Sequence, residues 1–453
     1  TESYLRIDRV LEAARRAGAD AIHPGYGFLA ENAAFADACR EAGLRFCGPS
    51  GDAMRLMGDK VAARREASAA GVPIAAGGLE PVRDLDDLRS RAERTGFPLL
   101  LKAAAGGGGK GIRVVQRPDE LEQAFARASG EARAAFGDGA VYVERFIPSA
   151  RHVEVQVLAD AHGNVIHLGE RECSLQRRNQ KLVEESPSPS ISAALRERLC
   201  DAAVALTRRI GYESAGTIEF LVEGAGSDDE RFYFMEMNTR LQVEHPVTEM
   251  VTGVDLVREQ IRIASGATLG LRQDEVRFRG AAIETRIYAE DPAHGFRPSV
   301  GRVRTLELPA GPGTRVDFGL AAGDEVSPYY DPMVGKLIAW GADRAEATER
   351  MLRALGELRI VGVETTAGLL TALLRSDAFR TAAFDTRFLE PFTERLVHTP
   401  PDRDALRPVA IAAAIRAATR EANRSRDGAE PCRDALRPWA RLARLQQIGA
   451  SAL

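Results

Sequence analysis

A run of four glycines at residues 106–109 most constrains the fold of this chain. The run belongs to the segment AAGGGGKG, which lies between two predicted strands, Leu99–Ala103 and Ile112–Val115. The segment is too long and too glycine-rich for a tight hairpin turn, and no GKS/T follows it, so it is not a Walker loop. Glycines let backbone N–H groups approach phosphates, and Lys102 and Lys110 add positive charge. A flexible linker is the alternative, but linkers rarely sit inside a strand-loop-strand unit. The pattern therefore favours a mobile, phosphate-covering loop.

The first 50 residues alternate between helix and strand patterns. An apolar helical face from Tyr4 to Ala14 is closed by Gly18 and followed by a short strand at residues 21–23. A second helix ends near Gly43, and a second strand covers residues 45–47. This pattern predicts part of a doubly wound α/β layer. Because the chain starts on a helix without an initiator Met, we expect a fragment whose first strands are missing.

The remainder reads as mixed α and β structure. One helix is predicted from about residue 53 to 70, followed by strands at 141–147 and 152–159 and then a polar loop, SLQRRNQKLVEESPSPS. After a helix at 191–210, strands at 217–223 and 232–238 should form a hairpin. A further helix should carry Val254, Val257, Ile261 and Ala264, and a β-rich stretch at 280–340 should form a second lobe. The tail from about residue 400 reads as linker or interface.

Composition excludes several classes of protein. The charged fraction is 28% and the net charge is −4, which indicates neither a nucleic-acid partner nor a membrane-surface partner. No apolar run is long enough to span a bilayer. The cysteines lack CxxC spacing, so we expect buried thiols in a reducing compartment and a cytoplasmic location; they are Cys39, Cys47, Cys173, Cys200 and Cys432.

Lysine is rare in this arginine-rich chain and occurs at five positions, which are Lys60, Lys102, Lys110, Lys181 and Lys336. Lysine offers a compact point charge, whereas arginine offers a planar fork, so retained lysines are candidates for phosphate or carbonate contacts. Chance retention is the alternative.

The two strands of the predicted hairpin carry oxygen ligands. Residues two apart in a strand share a face, so Glu236 and Asn238 should point the same way, and Glu219 on the partner strand can join them. Two carboxylates and an amide on one face suit Mg²⁺ or Mn²⁺ bridging nucleotide phosphates. A solvated outer face is the alternative, but the neighbouring Phe220 and Phe234 argue for burial.

Polar residues cluster just beyond these ligands. Arg240 could clamp a carbonate oxygen while Glu244 removes a proton from it, and a surface ion pair is the alternative. His245 precedes Pro246 and is assigned no catalytic role. The strand end from Glu144 to Ile147 could supply an acceptor and an apolar wall for adenine, or be a plain strand end.

At this point the sequence resembles the biotin carboxylase branch of the ATP-grasp enzymes, up to about residue 390. The motifs occur in the family's order: HPGYGFLAEN at His23, GPSGDAMRLMGDK ending at Lys60, KAAAGGGGKG, RHVEVQVLAD, RECSLQRRNQK, EMNTRLQVEHPVTE, ETRIYAEDP and YYDPMVGKLI. The resemblance implies an ATP-grasp fold with a truncated N-terminal α/β unit, a mobile glycine-rich lid and a C-terminal biotin carboxylase lobe.

The resemblance also implies roles for individual residues. The ATP set comprises Lys60, Lys102, Gly107, Gly108, Gly109, Glu144, Ile147, His152, Gln176, Asn179 and Leu221. The metal ligands would be Glu219, Glu236 and Asn238, and the bicarbonate set Lys181, Arg240, Gln242 and the Val243 amide. Glu244 would be the general base, and Arg286 would stabilise the biotin enolate. Lys181, Arg240, Glu244 and Arg286 form the implied catalytic set.

By this resemblance the chain makes carboxyphosphate from ATP and bicarbonate and then carboxylates biotin. Asn179 stands where many relatives have histidine, which alters a nucleotide contact. No MKM-type attachment site is present, so biotin is expected on a separate carrier domain. A carboxyltransferase (beta) subunit and a second copy of the chain, in a homodimer, are the further candidate partners. We expect a fragment of an acyl-CoA carboxylase alpha subunit.

The implied organisation has six segments. They are a truncated N-terminal unit (1–48), a connecting helix (49–73), a lid subdomain (74–147), an ATP-grasp core (148–278), a C-terminal lobe (279–390) and a linker or continuation towards a carrier domain (391–453). Two alternatives remain open. One is another ATP-grasp ligase, such as a carbamoyl-phosphate synthetase or a purine-pathway carboxylase, against which Arg286 argues. The other is an inactive fragment that acts only as an interaction module.

Overall fold

The computed structural model describes residues 3–104 and 112–398, together with a few isolated positions between 411 and 419. The chain divides into two compact units, residues 1–394 and residues 395–453. The predicted glycine run at 106–109, Cys432 and nearly all of the predicted tail lie outside the described residues. The first unit has a mixed α/β fold, in agreement with the predicted class.

The N-terminal segment forms a small α/β layer. Its elements are α1 (Ile7–Ala17), β1 (Ala21–Ile22), α2 (Ala33–Glu41) and β2 (Arg45–Phe46). The two strands are parallel, with Ala21 opposite Arg45. Gly18 ends α1 in the left-handed region at φ 63°, as predicted. The apolar faces of both helices pack over the strands through Leu11, Phe35 and Phe46.

The single helix predicted from about residue 53 to 70 is wrong. Two helices are present instead, α3 (Gly51–Gly58) and α4 (Lys60–Ala69). Asp59 separates them because its extended backbone ends α3 while its carboxylate accepts from the N–H groups of Val61 and Ala62 and caps α4. Asp59 therefore restarts the chain with Lys60 at the first position of a new helix.

The lid segment forms a three-stranded antiparallel sheet with two helices. Its elements are α5 (Leu85–Thr95), β3 (Leu99–Ala103), β4 (Ile112–Val115), α6 (Leu121–Phe136) and β5 (Val141–Arg145). The strand order is β4-β3-β5. Leu88, Leu99, Leu101 and Val143 form part of its own apolar core. The two strands that flank the glycine-rich segment are those predicted.

The polar loop predicted for residues 174–190 is wrong. After β6 (Arg151–Ala159), the chain forms a long hairpin of β7 (Val165–Arg177) and β8 (Gln180–Ser186). Arg178 and Asn179 make its two-residue turn at φ 49° and 66°, a geometry typical of hairpins. The strands escaped prediction because buried polar side chains, such as Glu172 and Glu184, interrupt the usual apolar alternation.

The predicted hairpin near residue 230 is confirmed. The next elements are α7 (Ala193–Arg209), β9 (Ser214–Glu223), β10 (Arg231–Asn238), α8 (His245–Thr252) and α9 (Leu256–Ala264). The further predicted helix is present as α9, and Val257 packs against an apolar core. Ile261 is nevertheless 48% exposed, while the polar Gln260 is buried. Gln260 is accommodated by hydrogen bonds with His23 and Ser214.

The C-terminal lobe is β-rich up to residue 341 and mainly helical afterwards. Its elements are β11 (Ala281–Tyr288), β12 (Glu290–Asp291), β13 (Arg297–Pro298), β14 (Gly301–Arg302), β15 (Thr305–Glu307), β16 (Thr314–Phe318), β17 (Glu325–Val326), β18 (Met333–Gly341), α10 (Arg344–Glu357), β19 (Arg359–Val361), α11 (Ala367–Arg375), α12 (Asp377–Arg380) and α13 (Leu389–His398). Helices α10 and α11 cover β11 and β18 with an apolar core that includes Ile283, Leu337 and Met351.

One antiparallel sheet of eight strands crosses the molecule in the order β10-β9-β6-β7-β8-β11-β18-β16. The pairing of β8 with β11 joins the central segment to the C-terminal lobe. Alternate residues of β6 divide the sheet: Val153 and Val155 enter the apolar core around α7, whereas Glu154 and Gln156 are buried on the polar face. This polar face carries the candidate site. The domain limits given above stay predictions.

Candidate active site

A cavity of about 900 Å³ opens over the polar face of the eight-stranded sheet. It gathers most of the site residues that the sequence predicts, which are Lys60, Lys102, Ile147, His152, Gln176, Asn179, Lys181, Glu219, Leu221, Glu236, Asn238, Arg240, Gln242, Val243, Glu244 and Arg286. Residues distant in sequence meet here because β8, β9, β10 and β11 belong to one sheet. Gly107, Gly108 and Gly109 lie outside the described residues.

Lys181 on β8 is the centre of a buried charge network. Its Nζ donates to Glu154 at 2.5 Å, to Glu219 at 3.0 Å and to Glu244 at 2.6 Å. Burial acts to lower the pKa of Lys181, but the charges of these three carboxylates outweigh it and raise that pKa well above its usual range. Lys181, which lines the cavity, is therefore charged at neutral pH.

Glu244 lies directly before α8 and is fully buried. Its second oxygen accepts from Arg286 Nη2 at 2.8 Å, so two cations hold one carboxylate. Burial acts to raise the pKa of Glu244, but Lys181 and Arg286 outweigh it and keep that pKa well below its usual range. Glu244 is therefore ionised at neutral pH and can accept a proton from a bound acid.

Arg240 is oriented by residues on either side of it. Its Nε donates to Glu31 at 2.9 Å, and one Nη donates to Asn238 at 3.1 Å. Glu31 also accepts from the Thr239 N–H at 3.0 Å. Sequence reasoning missed Glu31, although it lies in the HPGYGFLAEN motif. The guanidinium of Arg240 lines the same cavity as Glu244.

The predicted metal ligands meet at the hairpin of β9 and β10. Glu236 lies directly opposite Glu219, and a bulge at Met235 sets this register. Asn238 donates to Glu219 at 2.9 Å, so all three side chains lie on one face. Burial first and then the charge of Glu219 raise the pKa of Glu236. Two carboxylates and an amide oxygen in a half-enclosed pocket fit a hard divalent cation such as Mg²⁺ or Mn²⁺.

Glu144 makes buried ion pairs at the lid end of the cavity. Both of its oxygens are engaged, one by Arg64 of α4 and one by Lys102 of β3. Burial opposes ionisation, but Lys102 and Arg64 lower the pKa of Glu144. Both oxygens of its carboxylate are therefore engaged by cations rather than free for the acceptor role that the sequence suggested. Arg64 was missed because a lone arginine on a helix gives no signal of burial.

The remaining predicted nucleotide contacts border the same cavity. His152 Nε2 lies 3.3 Å from Glu219, which places the ring beside the predicted metal ligands. Gln176 pairs with Lys181 across the β7–β8 hairpin, and Asn179 occupies its turn in the left-handed region, which asparagine tolerates. Leu221 and Ile147 supply apolar walls, and Lys60 lies 3.7 Å from Glu236.

Three families match consecutive parts of the chain. They are described as "Biotin carboxylase, N-terminal domain" (residues 1–54), "Carbamoyl-phosphate synthase L chain, ATP binding domain" (59–272) and "Biotin carboxylase C-terminal domain" (284–391). A biotin carboxylase of Nostoc sp. is 52% identical over 389 residues, covering 86% of each chain. The chain belongs to the biotin carboxylase family.

Further relatives agree with this assignment. Biotin carboxylase 1 of Bacillus subtilis is 50% identical over 391 residues, which cover 86% of each chain. The biotin carboxylase domain dimer of the Hydrogenobacter thermophilus 2-oxoglutarate carboxylase, solved with MgADP, ADP and bicarbonate, has a TM-score of 0.83 and 46% identity, covering 88% of this chain and 87% of that one. The resemblance in the sequence is thereby confirmed, as are an ATP-grasp ligase fold and the ATP-dependent carboxylation of biotin as the activity.

Two charged residues of this biotin carboxylase site escaped the sequence analysis. Glu154 and Arg171 are fully buried on adjacent strands and bond to each other at 2.6 Å. Arg171 also donates to Thr248 of α8 at 3.0 Å, which fixes α8 over the sheet. The available signal was a charged residue inside each of two family motifs, RHVEVQVLAD and RECSLQRRNQK.

The cysteines and the apolar segments were the subject of two expectations from composition. Cys39, Cys47, Cys173 and Cys200 are buried free thiols, as predicted. Among the described residues, no helix combines the length and apolar character needed to cross a membrane.

Proposed function

We propose that the cavity activates bicarbonate through Glu244. Lys181, Arg240, Gln242 and the Val243 N–H would hold the anion, and Glu244 would remove its O–H proton. The freed oxygen then attacks the γ-phosphorus of ATP, ADP leaves, and carboxyphosphate forms. One observation carries this proposal: the fully buried Glu244 is kept ionised by Lys181 and Arg286 at 2.6 and 2.8 Å. A carboxylate held in this way is ionised, as a proton acceptor must be, and it lines the same cavity as Lys181 and Arg240.

The second step follows from the charge of Arg286. Carboxyphosphate breaks into CO₂ and phosphate, the phosphate removes the ureido N–H proton of biotin, and the biotin nitrogen attacks CO₂. Removal of that proton places negative charge on the ureido oxygen before the attack, and Arg286 would stabilise this charge. Support comes from the two bonds of Arg286, to Glu184 at 2.6 Å and to Glu244 at 2.8 Å, because they hold its guanidinium at the cavity in advance.

We also propose which residues bind the nucleotide and the metal ion. Lys60, Lys102 and the loop of Gly107, Gly108 and Gly109 would hold the phosphates. Glu144, Ile147 and Leu221 would border the adenine, and His152, Gln176 and Asn179 would lie near the ribose and phosphates. Glu219, Glu236 and Asn238 would hold Mg²⁺ or Mn²⁺, which supplies neutralisation of phosphate charge. Among the described residues, all of these except Glu144 line one cavity, which supports the assignments.

We also propose partner proteins and a cellular location for the chain. Biotin would arrive on a separate biotin carboxyl carrier domain, and a carboxyltransferase (beta) subunit would use the carboxybiotin. A homodimer is supported by the relative solved as a domain dimer. A cytoplasmic location is supported by the buried free thiols of Cys39 and Cys200.

ADP release by the purified chain tests the proposal. With Mg²⁺ present, the rate is measured in bicarbonate-depleted buffer, with added bicarbonate, and with bicarbonate and free biotin. We expect release to require bicarbonate and to increase with biotin. Release from folded protein that is independent of bicarbonate would contradict the proposed chemistry, and no release at all would favour the inactive interaction module.

A further inference from the structure

Lys336 stands out because the proposed mechanism leaves it without a role. It is one of the chain's five lysines and lies in the motif YYDPMVGKLI. Its position on β18 is only 2% exposed. Its Nζ donates a hydrogen bond to the backbone carbonyl of Val243. Val243 precedes Glu244 in the connection between β10 and α8, so this buried cation reaches the segment that carries the proposed base.

The neighbouring carboxylates do not account for this hydrogen bond. Nζ lies 3.8 Å from Glu284 and 3.9 Å from Asp317, which are separations beyond hydrogen-bond length. Glu284 is fully buried, and among the described residues neither of its oxygens has a hydrogen-bond partner. If Lys336 served only as a counter-ion, its ammonium would be expected to bond to that carboxylate. It bonds instead to the Val243 carbonyl.

The strand register explains how two cations reach one dipeptide. Lys336 on β18 lies directly opposite Arg286 on β11, and opposite residues of antiparallel strands share a face. Arg286 donates to the carboxylate of Glu244 at 2.8 Å, and Lys336 donates to the carbonyl one residue earlier. The C-terminal lobe therefore holds both the side chain of Glu244 and the peptide plane that precedes it.

This second contact matters for geometry. The Val243 carbonyl belongs to the peptide that joins Val243 to Glu244. Fixing that plane restricts ψ of Val243 and φ of Glu244, which together set the angle between the Val243 N–H and the Glu244 carboxylate. An anion held by the N–H and deprotonated by the carboxylate requires both in one orientation, and small displacements are costly for such pairs.

We propose that Lys336 is a positioning residue for bicarbonate activation: its bond to the Val243 carbonyl aligns the Val243 amide with Glu244. The inference rests on the proposed function and deepens it. Lys336 acts on the anion through Val243 and Glu244, so its loss affects bicarbonate more than MgATP. A lysine that only stabilised the fold would affect both substrates together.

The test compares steady-state ADP release by the full chain and by Lys336→Met, varying bicarbonate and MgATP separately. We expect KM for bicarbonate to rise about tenfold in Lys336→Met, the scale of one hydrogen bond to a charged group, while KM for MgATP changes less than about twofold. Lys336→Arg restores a donor and should recover most of the bicarbonate affinity. Arg315→Met is the matched control, because Arg315 on β16 also joins this lobe to α8, through Glu249 at 2.6 Å, and its KM for bicarbonate should not change.

Burial already raises the pKa of Glu284 well above its usual range, and removing the ammonium takes away a cation that opposes this effect, which could destabilise the chain. The double variant Lys336→Met/Glu284→Gln removes that problem and should show the same selective rise. Unchanged bicarbonate KM in a folded variant, parallel rises for both substrates, an equal effect of Arg315→Met, or failure of both variants to fold would overturn the inference. If the unmodified chain shows no bicarbonate-dependent release, the proposed function itself fails, which distinguishes the two cases.

Discussion

Replacing Glu244 by glutamine removes one proton acceptor while keeping the shape of the side chain. Glu244 is fully buried and accepts from Lys181 at 2.6 Å and from Arg286 at 2.8 Å. An amide can still accept one hydrogen bond at its oxygen, but it cannot remove a proton from bicarbonate. We therefore expect bicarbonate-dependent ADP release to fall by about 10² to 10⁴-fold, the usual contribution of a positioned base.

The cost in stability should be much smaller than this loss of rate suggests. Lys181 keeps Glu154 at 2.5 Å and Glu219 at 3.0 Å, and Arg286 keeps Glu184 at 2.6 Å. Neither cation is left unpaired, so the free energy of unfolding should fall by about 1 to 3 kcal/mol, the range for charge-assisted hydrogen bonds. Breaking a buried pair without such compensation costs about 3 to 5 kcal/mol. The variant should therefore fold, and urea unfolding measures the difference.

Glu184→Gln is the matched control for the assay. Glu184 is equally buried and accepts a hydrogen bond from the same arginine, Arg286. Among the contacts of the described residues, it has no hydrogen bond with Lys181. Its replacement should reduce the rate by at most about tenfold, since it disturbs the orientation of Arg286 without removing the base. Equal losses in the two variants, or a Glu244→Gln rate within about threefold of the unmodified chain, would refute the assignment of Glu244.

Three further predictions follow from other parts of the site. Arg64→Met should lower the free energy of unfolding by about 3 kcal/mol and raise KM for MgATP. The reason is that Glu144 would then be paired with Lys102 alone. A urea unfolding curve identical to that of the unmodified chain would contradict the pairing. Burial and the charge of Lys336 lower the pKa of His245 to about 3, whereas a histidine in an unfolded chain has a pKa of about 6.5. Between these two values the unfolded state binds a proton that the folded state does not bind. The free energy of unfolding should therefore fall as the pH drops from about 6.5 towards 3. Relative to His245→Asn, which keeps a donor to the Gln242 carbonyl, the unmodified chain should lose about 2 kcal/mol between pH 7 and pH 5, and parallel pH profiles would contradict this. Chelation of divalent cations should abolish ADP release, and Glu236→Gln should raise the Mg²⁺ concentration needed for half-maximal rate; equal requirements would exclude Glu236 as a ligand.

Sequence patterns predicted the parts of this fold in which local chemistry decides the structure. Gly18 ends a helix in the left-handed region as its type suggests, and the alternating valines of β6 face an apolar core. We could predict that Glu219, Glu236 and Asn238 share one face of the sheet. The prediction needed only the two-residue spacing of Glu236 and Asn238 and the position of Glu219 on the partner strand.

The parts that sequence missed depend on long-range burial. The β7–β8 hairpin looked like a loop because its inward residues are polar, and they are tolerated only because Lys181, Arg171 and Glu154 satisfy one another. Arg64 and Glu31 act through partners 80 and 209 residues away. Neither separation leaves a local pattern in the sequence.

Transfer of labelled carbon from bicarbonate to biotin tests the central claim most directly. The purified chain is incubated with MgATP, free biotin and ¹⁴C-bicarbonate, and label is measured in acid-labile carboxybiotin, with Glu244→Gln in parallel. The proposed mechanism predicts ATP-dependent labelling by the unmodified chain, matched by equimolar ADP, and labelling by Glu244→Gln lower by about 10²-fold or more. ADP production by folded protein without labelled biotin would contradict it.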